Sequence, residues 1–222
     1  MKQTINLPLL KEVIERIKAP GKGILAADES IGTITKRFEK IGVKCDEESR
    51  RKYRELLFTA AGLEQFIGGV ILFEETFDQK NKAGKLLPEV LLEKGILPGI
   101  KVDKGKVNLA NTDEEVTQGL DDLGERLELF KSKGARFAKW RALYQISEVT
   151  PSDLLIESNA HQLACYAALC QTHGLVPIVE PEVLIDGEHT IKACAEVSEK
   201  VLHAVFHELH KHRVLLEGII LK

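Results

Sequence analysis

The sequence has few cysteines, and none of them has the spacing of a metal or redox motif. The four, Cys45, Cys165, Cys170 and Cys194, form no CxxC pair. A disulfide framework or a cysteine zinc cluster needs paired or closely spaced cysteines, so neither is expected. Free cysteines are typical of a reducing compartment, and we expect a cytoplasmic protein.

Long apolar runs and an excess of one charge are also missing. The longest apolar runs, such as residues 68–73, are far shorter than the roughly 20 residues of a membrane span, and no apolar signal segment follows Lys2. Lysine and arginine number 31 against 34 acidic residues, which gives a net charge of −3. This balance offers no basic surface, so we expect neither nucleic acid nor a membrane as a partner.

What the sequence does contain is an alternation of short apolar runs with amphipathic stretches, bounded by glycine and proline. Of the 222 residues, 44% are apolar, which is enough for one sizeable core. Near-continuous apolar runs are typical of strands buried on both faces of a parallel sheet. Six runs are predicted to be strands: 23–28, 69–74, 99–103, 136–141, 176–180 and 214–222.

Helix boundaries are marked between these runs. The segment 150–153, TPSD, predicts a helix start with Thr150 as the N-cap and proline at the first helical position. Thr112 with Glu115 has the pattern of a capping box and predicts another helix start. An apolar stripe over residues 191–209 predicts a third helix.

Repeated βα units predict either a doubly wound sheet or a (β/α)8 TIM barrel. A doubly wound sheet normally has a glycine-rich phosphate turn after its first strand, whereas the first run here leads into Asp28, Glu29 and Ser30. The barrel is therefore favoured. Because no linker or low-complexity tract interrupts the rhythm, we expect one domain over residues 1–222.

Charged residues end nearly every predicted strand. In a parallel barrel all strand carboxyl ends open on one face, and residues two apart point to the same side. The residues concerned are Asp28, Glu74, Lys101, Asp103, Lys139, Arg141, Glu180, Glu182 and Lys222. Such a ring of charges can bind anions and move protons.

Two interpretations of this ring are open. Ion pairs that merely close the end of the barrel would offset the cost of desolvating the charges. Alternatively, a lysine beside other cations can act as an amine nucleophile toward a carbonyl, and Lys222 is the candidate. Trp140 alternates with Lys139 and Arg141, so it is expected to pack against the helices instead of facing a substrate.

Six ordered segments resemble the class I fructose-bisphosphate aldolases, and the resemblance spans essentially the whole chain. The segments are APGKGILAADES at 19–30, GGVILF at 68–73, GIKVDKG at 99–105, FAKWR at 137–141, PIVEPE at 177–182 and LEGIILK at 216–222. The resemblance implies a (β/α)8 barrel that cleaves fructose 1,6-bisphosphate through a lysine imine, without a cofactor or a metal. It also implies a sugar phosphate as substrate and, for the full-length family, usually a homotetramer.

The resemblance implies a catalytic role for six residues of this chain. Lys222 would form the imine, Glu180 would transfer protons, and Asp28 would take the proton of the C4 hydroxyl. Lys139 would lie near Lys222, keep its amine partly neutral and contact substrate oxygens. The remaining two residues, Lys101 and Glu182, would complete the network of catalytic side chains.

The resemblance also implies that arginines contact the substrate or its phosphates, because phosphorylated sugars require cations. The candidates are Arg37, Arg50 and Arg141, together with Lys139, and Arg141 is expected to be held mainly by carboxylates. The charged segment 47–55 is otherwise predicted to be a solvated helix face, with only Arg50 as a binding candidate.

The chain departs from the family pattern because it ends at Lys222, where the family continues with two further βα units. We expect a C-terminally truncated barrel of six of the eight βα units, since a complete barrel takes about 250 residues. Alone it is expected to be inactive or weak, because six strands do not close in the usual way. A non-catalytic scaffold or binding partner is the alternative function.

Four histidines near the end of the helix predicted over 191–209 raise a rival interpretation, a zinc-dependent aldolase. They are His203, His207, His210 and His212. Their spacing does not match HExxH, and histidines in the last turns of a helix commonly face solvent. We therefore expect no metal site.

Overall fold

The computed structural model describes residues 5–222. They form two compact units: unit 1 comprises residues 5–11, 102–127 and 139–222, and unit 2 comprises residues 12–101 and 128–138. Three elements have residues in both units, namely the helices α1 (Leu7–Ile17) and α6 (Leu123–Ser132) and the strand β6 (Phe137–Tyr144). The prediction of one domain includes residues 1–4, which lie outside the described part, and it stays a prediction.

Unit 2 contains the first three strands of the sheet. Strand β1 (Gly23–Ala27) pairs in parallel with β2 (Ile67–Leu72), and β2 pairs in parallel with β3 (Leu97–Lys101). The helices of this unit are α2 (Ile31–Glu39), α3 (Glu47–Phe58), α4 (Leu63–Phe66) and α5 (Leu87–Glu93), with a 3-10 turn at Glu74–Phe77. The carboxyl ends of three adjacent strands therefore lie at one edge.

The packing within unit 2 explains two glycines of its strands. The ring of Phe137, at the start of β6, occupies the space in which a side chain at Gly69 or Gly99 would lie. A Cβ atom at Gly99 would approach the ring to 2.1 Å, and one at Gly69 to 3.0 Å. These positions require glycine because a large aromatic ring packs directly on the backbone.

Unit 1 contains the rest of the sheet. Strand β7 (Val176–Val183) pairs in parallel with β8 (Ile220–Leu221), and the strands of this unit follow the order β6-β7-β8. The long helices of this unit are α7 (Asp153–Thr172) and α8 (Ile191–Lys211), and a 3-10 turn at Leu216–Gly218 precedes β8. Two short antiparallel strands, β4 (Lys106–Asn108) and β5 (Glu115–Thr117), form a separate hairpin.

The core of unit 1 joins β6 to α7. Trp140 is fully buried, and its ring lies 5.5 Å from that of Tyr166 on α7, centroid to centroid. The expected packing of Trp140 against the helices is therefore confirmed. Three alanines on α7 are fully buried and belong to this core: Ala160, Ala164 and Ala167.

The six predicted strands and the alternation of strands with helices are confirmed, with differences at the ends. The last predicted strand shortens to β8, because residues 216–218 form a 3-10 turn, while β6 and β7 each extend three residues further than predicted. Among residues 5–222, none of the helices combines the length and apolar character of a membrane span.

Two predicted helix starts were wrong. The N-cap of α7 is Ser152, not Thr150, because the Ser152 side chain accepts a hydrogen bond from the backbone N–H of Leu155. Thr112 does not begin a helix, because its hydroxyl donates to the backbone oxygen of Leu109 at 2.8 Å and Glu115 starts β5. A four-residue capping pattern is too short to distinguish a helix start from a hairpin turn.

Candidate active site

The register between β7 and β8 brings Lys222 beside Glu180. Val179 is paired with Leu221, and the backbone N–H of Lys222 donates to the oxygen of Val179 at 3.0 Å. Neighbouring residues at equivalent positions of two paired strands point to the same side of the sheet. The short strand β8 therefore fixes the direction of the Lys222 side chain.

Two lysines contact one buried carboxylate. Lys222 Nζ donates to Glu180 Oε1, and Lys139 Nζ lies 3.1 Å from Glu180 Oε2. The Glu180 side chain is 5% exposed and that of Lys139 is 7% exposed, whereas Lys222 is 40% exposed. The attraction between this carboxylate and the two lysine side chains offsets part of the cost of burying it. The more exposed Lys222 is the amine that a substrate can reach.

A second ion pair lies two residues further along the same strands. Arg141 Nε donates to Glu182 Oε2, and both side chains are about two-fifths exposed. The hydrogen bond from Arg141, with its charge, lowers the pKa of Glu182. Burial lowers the pKa of Arg141, but the hydrogen bond and charge of Glu182 outweigh it and raise that pKa overall. As expected, a carboxylate holds Arg141.

A cavity of ≈ 390 Å³ opens beside these groups. Glu180, Glu182 and Lys222 line one side of the cavity, and residues of α8 line the other. The α8 residues that line it are Ser198, Val201 and Leu202. The amine of Lys222 therefore borders a cavity with the size of a small-molecule site.

The remaining candidates for catalysis lie in unit 2. Asp28 follows β1 directly and is buried, and Lys101 is the last residue of β3. Glu74 follows β2 at the same edge. The parallel pairing of the three strands gathers these charges at their carboxyl ends, as the sequence predicts.

Arg37 and Arg50 each bind a carboxylate within unit 2. Arg37 on α2 is 61% exposed and lies 2.5 Å from Glu29. Arg50 on α3 donates from two nitrogens to Glu75, at 2.5 and 2.8 Å. An anionic ligand would have to compete with Glu75 for Arg50, whereas Arg37 keeps most of its surface in solvent.

The prediction of a solvated helix face is wrong for Arg54. It belongs to the charged segment predicted to be solvated, yet its side chain is only 3% exposed and lies 3.0 Å from Glu29. Tyr53 also donates to Glu29, at 3.2 Å. Desolvation lowers the pKa of Arg54, although the charge of Glu29 opposes this shift. No signal in the spacing of the charges distinguishes Arg54 from its exposed neighbours.

An α/β fold of parallel strands with functional charged residues toward their carboxyl ends is typical of TIM-barrel enzymes. A family model described as fructose-bisphosphate aldolase class-I matches residues 9–222. The chain belongs to this family, and its fold comprises six of the eight βα units of the family's (β/α)8 barrel.

Named relatives agree with the family model. The chain is 58% identical over 207 residues to fructose-bisphosphate aldolase 4, cytosolic, of Arabidopsis thaliana, covering 93% of this chain and 53% of the relative. It is 54% identical over 215 residues to fructose-bisphosphate aldolase B of Gallus gallus, covering 96% and 59%. The chain therefore spans between half and three-fifths of the length of these curated relatives.

A solved structure is also similar. It is that of the fructose-bisphosphate aldolase of Plasmodium falciparum, in complex with TRAP and a small-molecule inhibitor. The TM-score is 0.94 at 51% sequence identity, over 97% of this chain and 63% of that one.

Proposed function

We propose that the whole protein is a class I fructose-bisphosphate aldolase, a carbon–carbon lyase of glycolysis and gluconeogenesis. It would cleave fructose 1,6-bisphosphate reversibly to dihydroxyacetone phosphate and glyceraldehyde 3-phosphate. The observation that carries this proposal is the contact of Lys222 and Lys139 with the two oxygens of the buried Glu180. It supplies an amine, a proton carrier and a second cation at one place.

The first proposed step is formation of an imine. The unprotonated amine of Lys222 attacks the ketone carbon and gives a carbinolamine, which loses its hydroxyl as water when Glu180 supplies a proton. Lys139, whose Nζ lies 3.1 Å from Glu180 Oε2, is proposed to contact substrate oxygens beside this amine. The product is a protonated imine, a better electron sink than the ketone.

The second proposed step breaks the bond between C3 and C4. A base removes the proton of the C4 hydroxyl, the aldehyde leaves, and the bonding electrons move to the imine nitrogen to form an enamine. The base is proposed to be Asp28, which rests on the family resemblance, as does the supporting role of Lys101. Protonation of C3 and hydrolysis of the imine then release dihydroxyacetone phosphate.

Substrate contacts are proposed for Arg37, Arg50, Arg141 and Lys139. Bidentate arginines suit phosphate oxygens, and the exposure of Arg37 leaves its guanidinium open to a ligand. Glu182 is proposed to orient Arg141, because their side chains form an ion pair. No cofactor enters any of these steps.

We propose a cytoplasmic location, which the names of two cytosolic Arabidopsis relatives support. The proposed partner is a sugar phosphate, with no nucleic acid and no membrane. The homotetramer usual for the full-length family stays a prediction for this protein.

Reductive trapping tests the imine. Borohydride is added to the protein with dihydroxyacetone phosphate, and peptide mass spectrometry locates the adduct, whose mass is that of the ligand less one oxygen. We expect it at Lys222, and we expect Lys222→Arg to abolish it. Lys200→Arg is the matched control, because Lys200 is an exposed lysine of α8 that pairs with Asp153.

Two outcomes would count against this function. An adduct spread evenly over exposed lysines would show that Lys222 has no special reactivity. A folded whole protein without any adduct at Lys222 would favour the non-catalytic scaffold.

A further inference from the structure

We propose that His161, Cys165 and His212 form a zinc-binding site that is separate from the Lys222 cluster. His161 and Cys165 lie one turn apart on α7, and His212 caps the end of α8. The ligand atoms of the three side chains all lie within 4.8 Å of one another. Neither the proposed aldolase reaction nor the family resemblance uses any of them.

The distances suit a metal bound by sulfur and nitrogen. Cys165 Sγ lies 3.5 Å from His161 Nε2 and 3.5 Å from His212 Nε2. Sulfur at about 2.3 Å and nitrogen at about 2.1 Å from a tetrahedral zinc ion are roughly 3.6 Å apart. Both sulfur–nitrogen separations therefore match those of two ligands on one ion.

Glu208 on α8 fixes which nitrogen of each histidine is available. His161 Nδ1 lies 3.3 Å from Glu208 Oε2, and His212 Nδ1 lies 2.9 Å from the backbone oxygen and 3.4 Å from Oε2 of the same residue. Carboxylate and carbonyl oxygens only accept hydrogen bonds, so both Nδ1 atoms carry the proton. A carboxylate behind a histidine ligand is the usual support of protein zinc sites.

The consequence is that two unprotonated Nε2 atoms face one thiol. The single S–H can donate to only one of them, so one nitrogen lone pair lacks a donor from the thiol. A divalent ion that replaces the thiol proton satisfies both nitrogens and the sulfur together. This converging set of acceptors is the second observation, beside the distances, that points to a ligand.

The donor set favours zinc over harder ions. Thiolate and imidazole are soft or intermediate ligands, whereas magnesium and calcium take oxygen. The His161 side chain is 57% exposed, so an ion can enter and a water can complete the coordination. Lys211 Nζ lies 2.9 Å from Glu208 Oε1, the oxygen that neither histidine contacts. The negative charge of Glu208 therefore offsets the positive charge of Lys211.

The proposed site would tie the end of α8 to the middle of α7. The chain leaves α8 at His212 and reaches the proposed nucleophile ten residues later. We infer that bound zinc stabilises this connection without taking part in the reaction. The expectation from sequence that the histidines of α8 bind no metal is thereby revised for His212 alone.

Cobalt(II) reports the site by spectroscopy. We expect the reduced 222-residue chain to bind one cobalt ion with a thiolate-to-metal charge-transfer band in the near ultraviolet, and zinc to displace it. Cys165→Ser should abolish the band, and Glu208→Ala should weaken zinc binding about 10- to 100-fold. Cys194→Ser and His203→Ala, both on α8, are matched controls that should leave the band unchanged.

Alkylation locates the ion without any variant. Zinc should protect Cys165 from iodoacetamide severalfold, by peptide mass spectrometry, and leave the alkylation of Cys45 and Cys194 unchanged. The proposal is overturned if the wild-type chain shows no thiolate band, if the band survives Cys165→Ser, or if zinc protects all cysteines equally. Borohydride trapping at Lys222 is measured separately, so failure of either proposal leaves the other testable.

Discussion

Gln171 holds the segment that leads to Lys222, and its removal is expected to weaken both stability and imine formation. The side chain is fully buried at the end of α7. Its Nε2 donates to the backbone oxygen of Leu215 at 2.7 Å, and the N–H of Leu215 donates to its Oε1 at 2.9 Å. Gln171→Ala removes both hydrogen bonds at once.

The size of the effect follows from these two bonds. Each hydrogen bond contributes about 1 kcal/mol net, and a peptide group left without a partner costs about 1–3 kcal/mol where water does not reach it. Leu215 is half-buried, so water replaces part of the loss, and we expect the free energy of unfolding to fall by about 2–4 kcal/mol. This is a large share of the roughly 5–15 kcal/mol that stabilises a typical domain.

Urea unfolding and borohydride trapping measure the two consequences. Part of the lost free energy is expected to loosen the segment from Leu215 to Lys222 while the rest of the chain stays folded. If this part is about 1.4 kcal/mol, the rate of adduct formation at Lys222 falls about tenfold. Gln162→Ala is the matched control on α7, because the side-chain oxygen of Gln162 accepts no hydrogen bond from residues 5–222. Equal unfolding free energies and equal trapping rates for Gln171→Ala and wild type would show that Gln171 does not hold the segment before Lys222.

Two further predictions concern packing and pH. Gly99→Ala places a Cβ 2.1 Å from the Phe137 ring and should lower the free energy of unfolding by about 1–3 kcal/mol, whereas Gly32→Ala, in helix α2 with no atom within 4 Å, should raise it slightly. Urea unfolding that gives both variants the same sign would contradict this. Because Arg141 lowers the pKa of Glu182 in the folded state, the ion pair stabilises the fold above the ordinary glutamate pKa, and this stability is lost as pH falls through the lowered value. Because both side chains are partly exposed, the ion pair contributes about 1 kcal/mol at most. The difference in unfolding free energy between wild type and Glu182→Gln should therefore shrink as the pH falls. A difference that stays constant in acid would contradict this role of the ion pair.

Part of the site could be predicted from sequence because charged residues interrupt or follow the apolar runs of its strands. They include Lys101, Lys139 and Glu180; the structure places Lys101 at the end of β3 and the other two inside β6 and β7. The assignment of roles to these residues needed the family resemblance, because charge spacing alone also fits structural ion pairs.

Other features could not be predicted because they depend on contacts between distant segments. The burial of Arg54 depends on Glu29, which lies 25 residues earlier, and Gln171 meets Leu215 across 44 residues. The candidate metal site joins Cys165 to His212 across 47 residues. Local patterns contain no information about such pairs, because the two residues of each pair are far apart in the sequence.

The alternation of strands and helices follows from the amino-acid sequence alone, because burial on both faces of a sheet demands near-continuous apolar runs. The contact of Lys222 and Lys139 with the carboxylate of Glu180, and the contact of Glu208 with two histidines that face one thiol, depend on folding. The reason is register: a shift of one residue between β7 and β8 would point Lys222 to the opposite side of the sheet.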